Sequence, residues 1–260
     1  MIGVLARDVW GLQTLAYLVQ LYPEYDYIFL ADKKNYHTYE KNKSQAQQAA
    51  FKSIQRLFDQ WAKLVIIWSN IIANQALSER KEQFPEKKVI AITVPWLEET
   101  ISQEYKKIGI LTTQWNITSW TYNNLFLKAW GTPDTSMHFI VATEYLKRVE
   151  SGNNDAKYYH NLIEKYIEQF PKDIECLIIG CAYFPLTIED FQEVFKGKII
   201  DIPAEWAKKL RDYLNNHPEI DYQLSKNKKI SYYTTGDQES FQKAWSVIMK
   251  QPIQSIQLII

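Results

Sequence analysis

Of all the side chains in this 260-residue chain, the thiol of Cys181 is the best placed to do chemistry. It follows the apolar run Cys176–Ile179 and Gly180, and precedes Ala182-Tyr183-Phe184-Pro185. A thiol at the carboxyl end of a buried strand, close to a helix start, can have its pKa drawn toward neutrality. Such a group serves as a nucleophile or as a proton donor and acceptor. The other reading is a buried structural cysteine, and the residues alone leave both open. Cys176, in the strand interior, reads as core. The Cys-x4-Cys spacing has no nearby histidine, so it does not read as a zinc site. His37, His138, His160 and His217 show no i,i+4 pairing for a metal and read as surface or loop residues. No Gly-x-Gly-x-x-Gly, no Gly-x4-Gly-Lys-Ser/Thr and no Gly-x-Ser-x-Gly occurs, which removes the simplest dinucleotide, nucleotide and serine-hydrolase readings. Eight glycines leave few phosphate cradles.

The elements that would position these groups follow from the apolar pattern. Short apolar runs at 2–5, 27–30, 64–68, 89–93, 107–111, 139–142, 176–179 and 199–202 read as strands. Helical periodicities lie between them, for example at 46–63, 154–169 and 204–214. Apolar runs of this length alternating with helices predict buried parallel strands in βαβ units with right-handed crossovers. Ligands bind at the carboxyl ends of such strands. The corresponding loops begin near Ala6, Ala31, Ser69, Val94, Thr112 and Gly180. A weak two-fold echo links Ile66-Ile67-Trp68-Ser69-Asn70 with Leu177-Ile178-Ile179-Gly180-Cys181. Residues 217–229 read as a loop, 230–237 as an alternating strand and turn, and 238–249 as a helix.

Composition narrows the classes. Hydrophobic residues make up 46% and charged residues 23%, an ordinary globular balance. Thirty Lys and Arg against thirty Asp and Glu give a formal net charge of zero, which argues against a strongly basic nucleic-acid binder. No apolar run reaches the ~18 residues of a membrane span, and Arg7 and Asp8 interrupt the apolar start, which does not fit a secretory signal. Two cysteines exclude a disulfide framework and point to a cytoplasmic, reducing setting. Nine Trp residues are an unusual number for this length.

Taken together in order, the motifs resemble bacterial glutamate racemase, of the aspartate/glutamate racemase superfamily. Ile2-Gly3-Val4-Leu5 with Gly11-Leu12 is similar to the family's IGVFDSGVGGL start, and Phe29-Leu30-Ala31-Asp32 to its YFGD. Ile66-Ile67-Trp68-Ser69-Asn70 falls where the family has an ACNT strand end, and residues 89–95 resemble VIGVIEP. Residues 108–113, then Ile117, Ser119 and Tyr122, resemble IGVIAT…TI-x-S-x-x-Y. Val149-Glu150-Ser151-Gly152 resembles VEEG, LIIGCAYFPL at 177–186 resembles LILGCTHYPL, and Tyr233-Thr234-Thr235-Gly236-Asp237 resembles YTTGD. The resemblance covers the whole chain. It implies two pseudo-symmetric α/β lobes with mostly parallel sheets, lobe one at 1–97 with 205–260 and lobe two at 98–204, and an active site in the cleft between them. It also implies a reaction without a cofactor, in which two thiols on opposite faces of the substrate remove and return an α-proton, and it leaves room for a symmetric homodimer.

The scaffold motifs are kept and the chemical ones are not. The family's first cysteine is Ser69 here, and a serine hydroxyl stays protonated near neutrality unless a base activates it. The family's next threonine is Ile71. Its Asp-Ser after the first strand is Ala6-Arg7, although Asp8 lies close by. Its Pro-Tyr-Gly loop falls near His37-Thr38-Tyr39 and is not recognisable. The Thr-His pair after the second cysteine is Ala182-Tyr183. Cys181, Asn70, Thr113, Asp32 and Glu150 match functional or near-site positions. Trp10, Trp68, Trp96, Trp115 and Trp120 fall at or beside strand ends, either as core residues or as a filling of the pocket. A Trp-lined cleft suits a small dicarboxylate poorly, because it desolvates carboxylates without compensation.

These departures favour a homologue that has lost two-base racemisation and acts as a binding or regulatory protein. One alternative is a single-cysteine, cofactor-independent enzyme of decarboxylase or isomerase type, with Cys181 as proton donor and Ser69 and Asn70 as oxyanion donors. The other is a divergent working racemase that supplies D-glutamate for peptidoglycan. The expected ligand is a small amino acid or carboxylate. No metal, nucleic acid or membrane is expected.

Overall fold

The computed structural model describes residues 1–40, 42–76, 79–91, 99–100, 102–118, 134–150, 155–181, 188–249 and 257–258. Ten strands run through them: β1 (Ile2–Ala6), β2 (Tyr27–Ala31), β3 (Leu64–Ile67), β4 (Lys88–Ala91), β5 (Lys107–Thr112), β6 (Ser136–Val141), β7 (Cys176–Ile179), β8 (Lys198–Asp201), β9 (Ile230–Thr234) and β10 (Gln257–Leu258). The chain divides into two compact units, Met1–Ile92 with Ala207–Ile260, and Thr93–Trp206. Among the described residues no helix is long and apolar enough to cross a membrane.

The first unit is built on a six-stranded sheet in the order β10-β9-β2-β1-β3-β4, and every pairing is parallel. β1, β2 and β3 are buried at every residue, which is why they read in sequence as unbroken apolar runs rather than alternating ones. The helix Lys43–Asp59 packs through Ala46, Ala49, Ala50, Ser53, Ile54, Leu57 and Phe58, a stripe at helical spacing. Asn42 starts it by accepting a hydrogen bond from the Gln45 N–H at 3.1 Å. The second unit has a four-stranded parallel sheet in the order β6-β5-β7-β8. The unit also holds a buried aromatic group: the Tyr145 ring lies 5.2 Å from Tyr159 and 5.7 Å from Phe191.

The strand pattern expected from sequence is present, with ends displaced by a residue or a few. Two features that the sequence pattern does not show lie within residues 217–260. β10 is too short to carry a periodic signal. The 217–229 segment, read as a loop, contains one helical turn, Pro218–Asp221, with Pro218 at its start where a missing N–H costs nothing.

That segment is anchored by Asp26, which is 2% exposed. Its carboxylate accepts from the Asn227 N–H and Lys229 N–H, both at 2.9 Å, and from the Asn227 side chain at 2.8 Å. Burial pushes this carboxyl up, but the hydrogen bonds from Lys229, Asn227 and Ser225 outweigh it and hold the pKa at about 2. Because that value lies below the unfolded one of 3.8, the stabilisation is fully present above pH ~4 and is lost as pH falls toward 2. Replacing Asp26 with Ala strands two backbone donors and should lower stability by about 2–4 kcal/mol at pH 7. Denaturant melts at pH 7 and pH 2 should show that deficit shrinking in acid.

Candidate functional site

In the first unit, the carboxyl ends of β1, β2 and β3 gather Asp8, Asp32, Ser69 and Asn70 of the polar side chains singled out from sequence. Asp32, the residue after β2, is fully buried. Its Oδ1 accepts from Thr235 Oγ1 at 2.9 Å and from Asn35 Nδ2 at 3.1 Å. Its Oδ2 accepts from Ser53 Oγ at 2.7 Å, from Asn35 Nδ2 at 3.1 Å and from the Tyr39 hydroxyl. Burial, then the Asp32 charge, then the hydrogen bond to it push the Tyr39 phenol well above its ordinary pKa, so it stays a donor. Thr235 also accepts from the Lys34 N–H at 3.0 Å. Asp32 therefore sits at the centre of a hydrogen-bonded group that fixes the end of β2 to the helix Lys43–Asp59 and to the end of β9.

After β1 the chain must turn sharply. Gly11 comes close to the end of β1, and a Cβ there would collide with the Ala6 methyl. Ala6 is buried at this contact. Asp8, 1% exposed, caps the short turn Val9–Gly11 through Oδ1, which accepts from the Trp10 N–H at 3.0 Å. Its Oδ2 is buried with no hydrogen-bond partner among the described residues. Arg7, 9% exposed, pairs with Glu40 and donates to the Tyr36 hydroxyl at 2.8 Å.

Ser69 follows β3 by two residues. Its Oγ accepts from the Ile72 N–H at 3.4 Å and its carbonyl from the Ala73 N–H at 2.8 Å, the two bonds of a helix N-cap. Asn70, half-buried, is the first residue of the helix Asn70–Ala76. Trp68 and Trp10 are buried in this unit.

In the second unit, Cys181 lies half-buried just past β7, and Cys176 is buried inside the strand. Burial pushes the Cys176 thiol up to about 12, with help from the nearby Glu175 charge, so it is inert. The peptide before Cys181 is braced. The Gly180 N–H donates to the Leu111 carbonyl at 2.8 Å, and the Gly180 carbonyl accepts from Thr112 Oγ1 at 3.3 Å and Asn116 Nδ2 at 3.4 Å. Asn116 also donates to Thr112 Oγ1 at 2.9 Å. The sequence reading missed Asn116. Thr112 ends β5 and Asn116 lies in the helix Gln114–Thr118, so no spacing within one element marked the pair. Thr113 and Trp115 are half-buried beside it. Glu150 lies in the helix Thr143–Glu150. Ala182, Tyr183, Trp96 and Trp120 fall outside the described residues. Among the described residues, no group of three or more His, Cys, Asp or Glu is arranged to hold a metal.

Known proteins resemble the chain in sequence and in fold. No protein-family model matches the chain. The glutamate racemase of Limosilactobacillus reuteri is 27% identical over 239 residues, covering 91% of this chain and 88% of that protein. That of Aquifex aeolicus is 24% identical over 83% of this chain and 84% of its own length. Among solved structures, Thermus thermophilus glutamate racemase in complex with beta-chloro-D-alanine superposes with a TM-score of 0.82 at 21% identity, covering 99% and 96% of the two chains. Francisella tularensis glutamate racemase in complex with D-glutamate gives 0.83 at 22% identity, covering 100% and 97%. The chain is a homologue of glutamate racemases and has the aspartate/glutamate racemase fold.

Two outcomes follow from these geometries. Ser69→Ala should lower stability by about 0.5–1 kcal/mol through loss of the cap, and Ser69→Thr should restore most of it in denaturant melts. At pH 8 a thiol of pKa 12 is ionised in about one molecule in ten thousand. Iodoacetamide followed by peptide mass spectrometry should therefore label Cys181 at least tenfold faster than Cys176 in the folded protein, and both alike in denaturant.

Proposed function

We propose that this homologue of glutamate racemases has given up two-base racemisation and binds a small carboxylate or amino-acid ligand without turning it over. The observation that carries this reading is the setting of Ser69. Ser69 stands where the resemblance places the first thiol. Among the described residues its hydroxyl has the Ile72 N–H as partner, and no carboxylate, imidazole or amine accepts its proton. A hydroxyl without such a base is not a proton acceptor near pH 7. Ala6 stands where the resemblance places a carboxylate, and its methyl is packed against Gly11. The ligand class is taken from the relatives, one of which is solved with D-glutamate.

A second reading has its own support. Cys181 is half-buried and its preceding peptide is held by Thr112 and Asn116, as a positioned proton donor requires. That reading is a single-thiol, cofactor-independent enzyme of decarboxylase or isomerase type.

The test is α-proton exchange in D2O, followed by proton NMR, with L- and D-glutamate and then aspartate, alongside Cys181→Ala. The expected result is no exchange above the Cys181→Ala background from folded protein. Exchange of L-glutamate alone, lost in Cys181→Ala, would favour the single-thiol enzyme. Exchange of both enantiomers would restore the racemase.

A further inference from the structure

The carboxyl edge of the first unit holds a cationic, aromatic cluster that neither the cap at Ser69 nor the Asp32 group accounts for. Arg7 follows β1 and Lys33 follows β2, so both lie where ligands bind in open parallel sheets. The Arg7 guanidinium stands 3.8 Å from the centre of the Tyr36 ring and donates to the Tyr36 hydroxyl at 2.8 Å. Lys33 Nζ is 4.4 Å from the same ring centre, and the His37 ring packs edge-on at 5.1 Å. The ring thus carries two cations, whose attraction to it is electrostatic. Arg7 Nη1 donates to Glu40 Oε1 at 2.5 Å.

The two members of that ion pair differ in burial. Arg7 is 9% exposed, whereas the Glu40 side chain is 34% exposed and sits on the single turn Thr38–Glu40. A guanidinium withdrawn from water needs an anion beside it, and its planar fork matches a carboxylate. Glu40 reaches it from the more exposed side, and another carboxylate taking its place would leave the guanidinium paired. Tyr36, by contrast, is tied to Arg7 by ring and hydroxyl together. The arrangement is that of a carboxylate site already occupied by a carboxylate of the chain itself.

We propose that Arg7 is a carboxylate-binding residue, that Glu40 is its internal ligand, and that a small organic carboxylate displaces Glu40 from it. This deepens the binding reading above and rests on it, by naming the anchor and what competes for it. Lys33, over the same ring, supplies a second cation for a ligand with two carboxylates.

The test is calorimetric titration of the full-length protein with glutarate, with inorganic phosphate run in parallel. Glu40→Gln keeps the shape of the side chain, is solvent-accessible and removes the competing charge. It should tighten glutarate binding at least fivefold. Arg7→Lys should weaken glutarate binding in the Glu40→Gln background, and Arg7→Gln should abolish it. Unchanged glutarate affinity in Glu40→Gln overturns the proposal, whatever the Arg7 variants do. Phosphate binding as tightly as glutarate overturns the assignment to carboxylates. The two readings fail separately: Cys181-dependent α-proton exchange would sink the non-catalytic function, while an unaltered glutarate affinity in Glu40→Gln would sink the anchor.

Discussion

A carboxylate taken out of water has to be met by donors, and the chain around Asp32 is arranged by that need. The hydrogen-bond donors to it are the neutral side chains of Asn35, Tyr39, Ser53 and Thr235. They come from the segment after β2, from the helix Lys43–Asp59 and from the end of β9. Displacing any of them leaves part of a buried carboxylate unsatisfied, at a cost of about 1–3 kcal/mol. The strand end, the helix and the returning C-terminal segment are therefore fixed as one body. Holding residues 33–40 in place also carries Tyr36 and Glu40 to Arg7.

The two strand ends marked by the resemblance hold their side chains in different settings. In the first unit the hydroxyl of Ser69 satisfies a helix terminus, a use that suits serine and needs no ionisation. In the second unit the strand end carries the thiol of Cys181, and the peptide before it is fixed by the Thr112 and Asn116 side chains. The other thiol, Cys176, is made inert by the same burial that makes β7 a central strand. Burial separates a structural cysteine from one with access to solvent, although the two are five positions apart in the chain.

The parallel-sheet architecture was legible because buried parallel strands leave a plain mark. β1, β2, β3 and β7 are apolar throughout, since both faces of each are covered. The positions of Ser69 and Cys181 at strand ends followed from the same runs. The hydrogen-bond partners did not. The donors to Asp32 come from as far as Thr235, 203 positions away. Arg7 read in sequence only as the loss of a family residue, because its partners Tyr36 and Glu40 lie 29 and 33 positions away.

The sequence by itself determined the strands, their parallel class and the residues standing at their carboxyl ends, because apolar runs and helical spacing are local properties of the chain. The resemblance, too, was read from the sequence alone, and it sets Ala6, Ser69 and Tyr183 where it implies chemical side chains. Only the tertiary structure decided what several of the residues at those ends do: that Asp32 is a buried hub, that Ser69 is a cap and that Arg7 is engaged by Glu40. The reason is physical. Burial and hydrogen-bond partnership depend on which distant segments are brought together, and the side chain's own identity does not specify them.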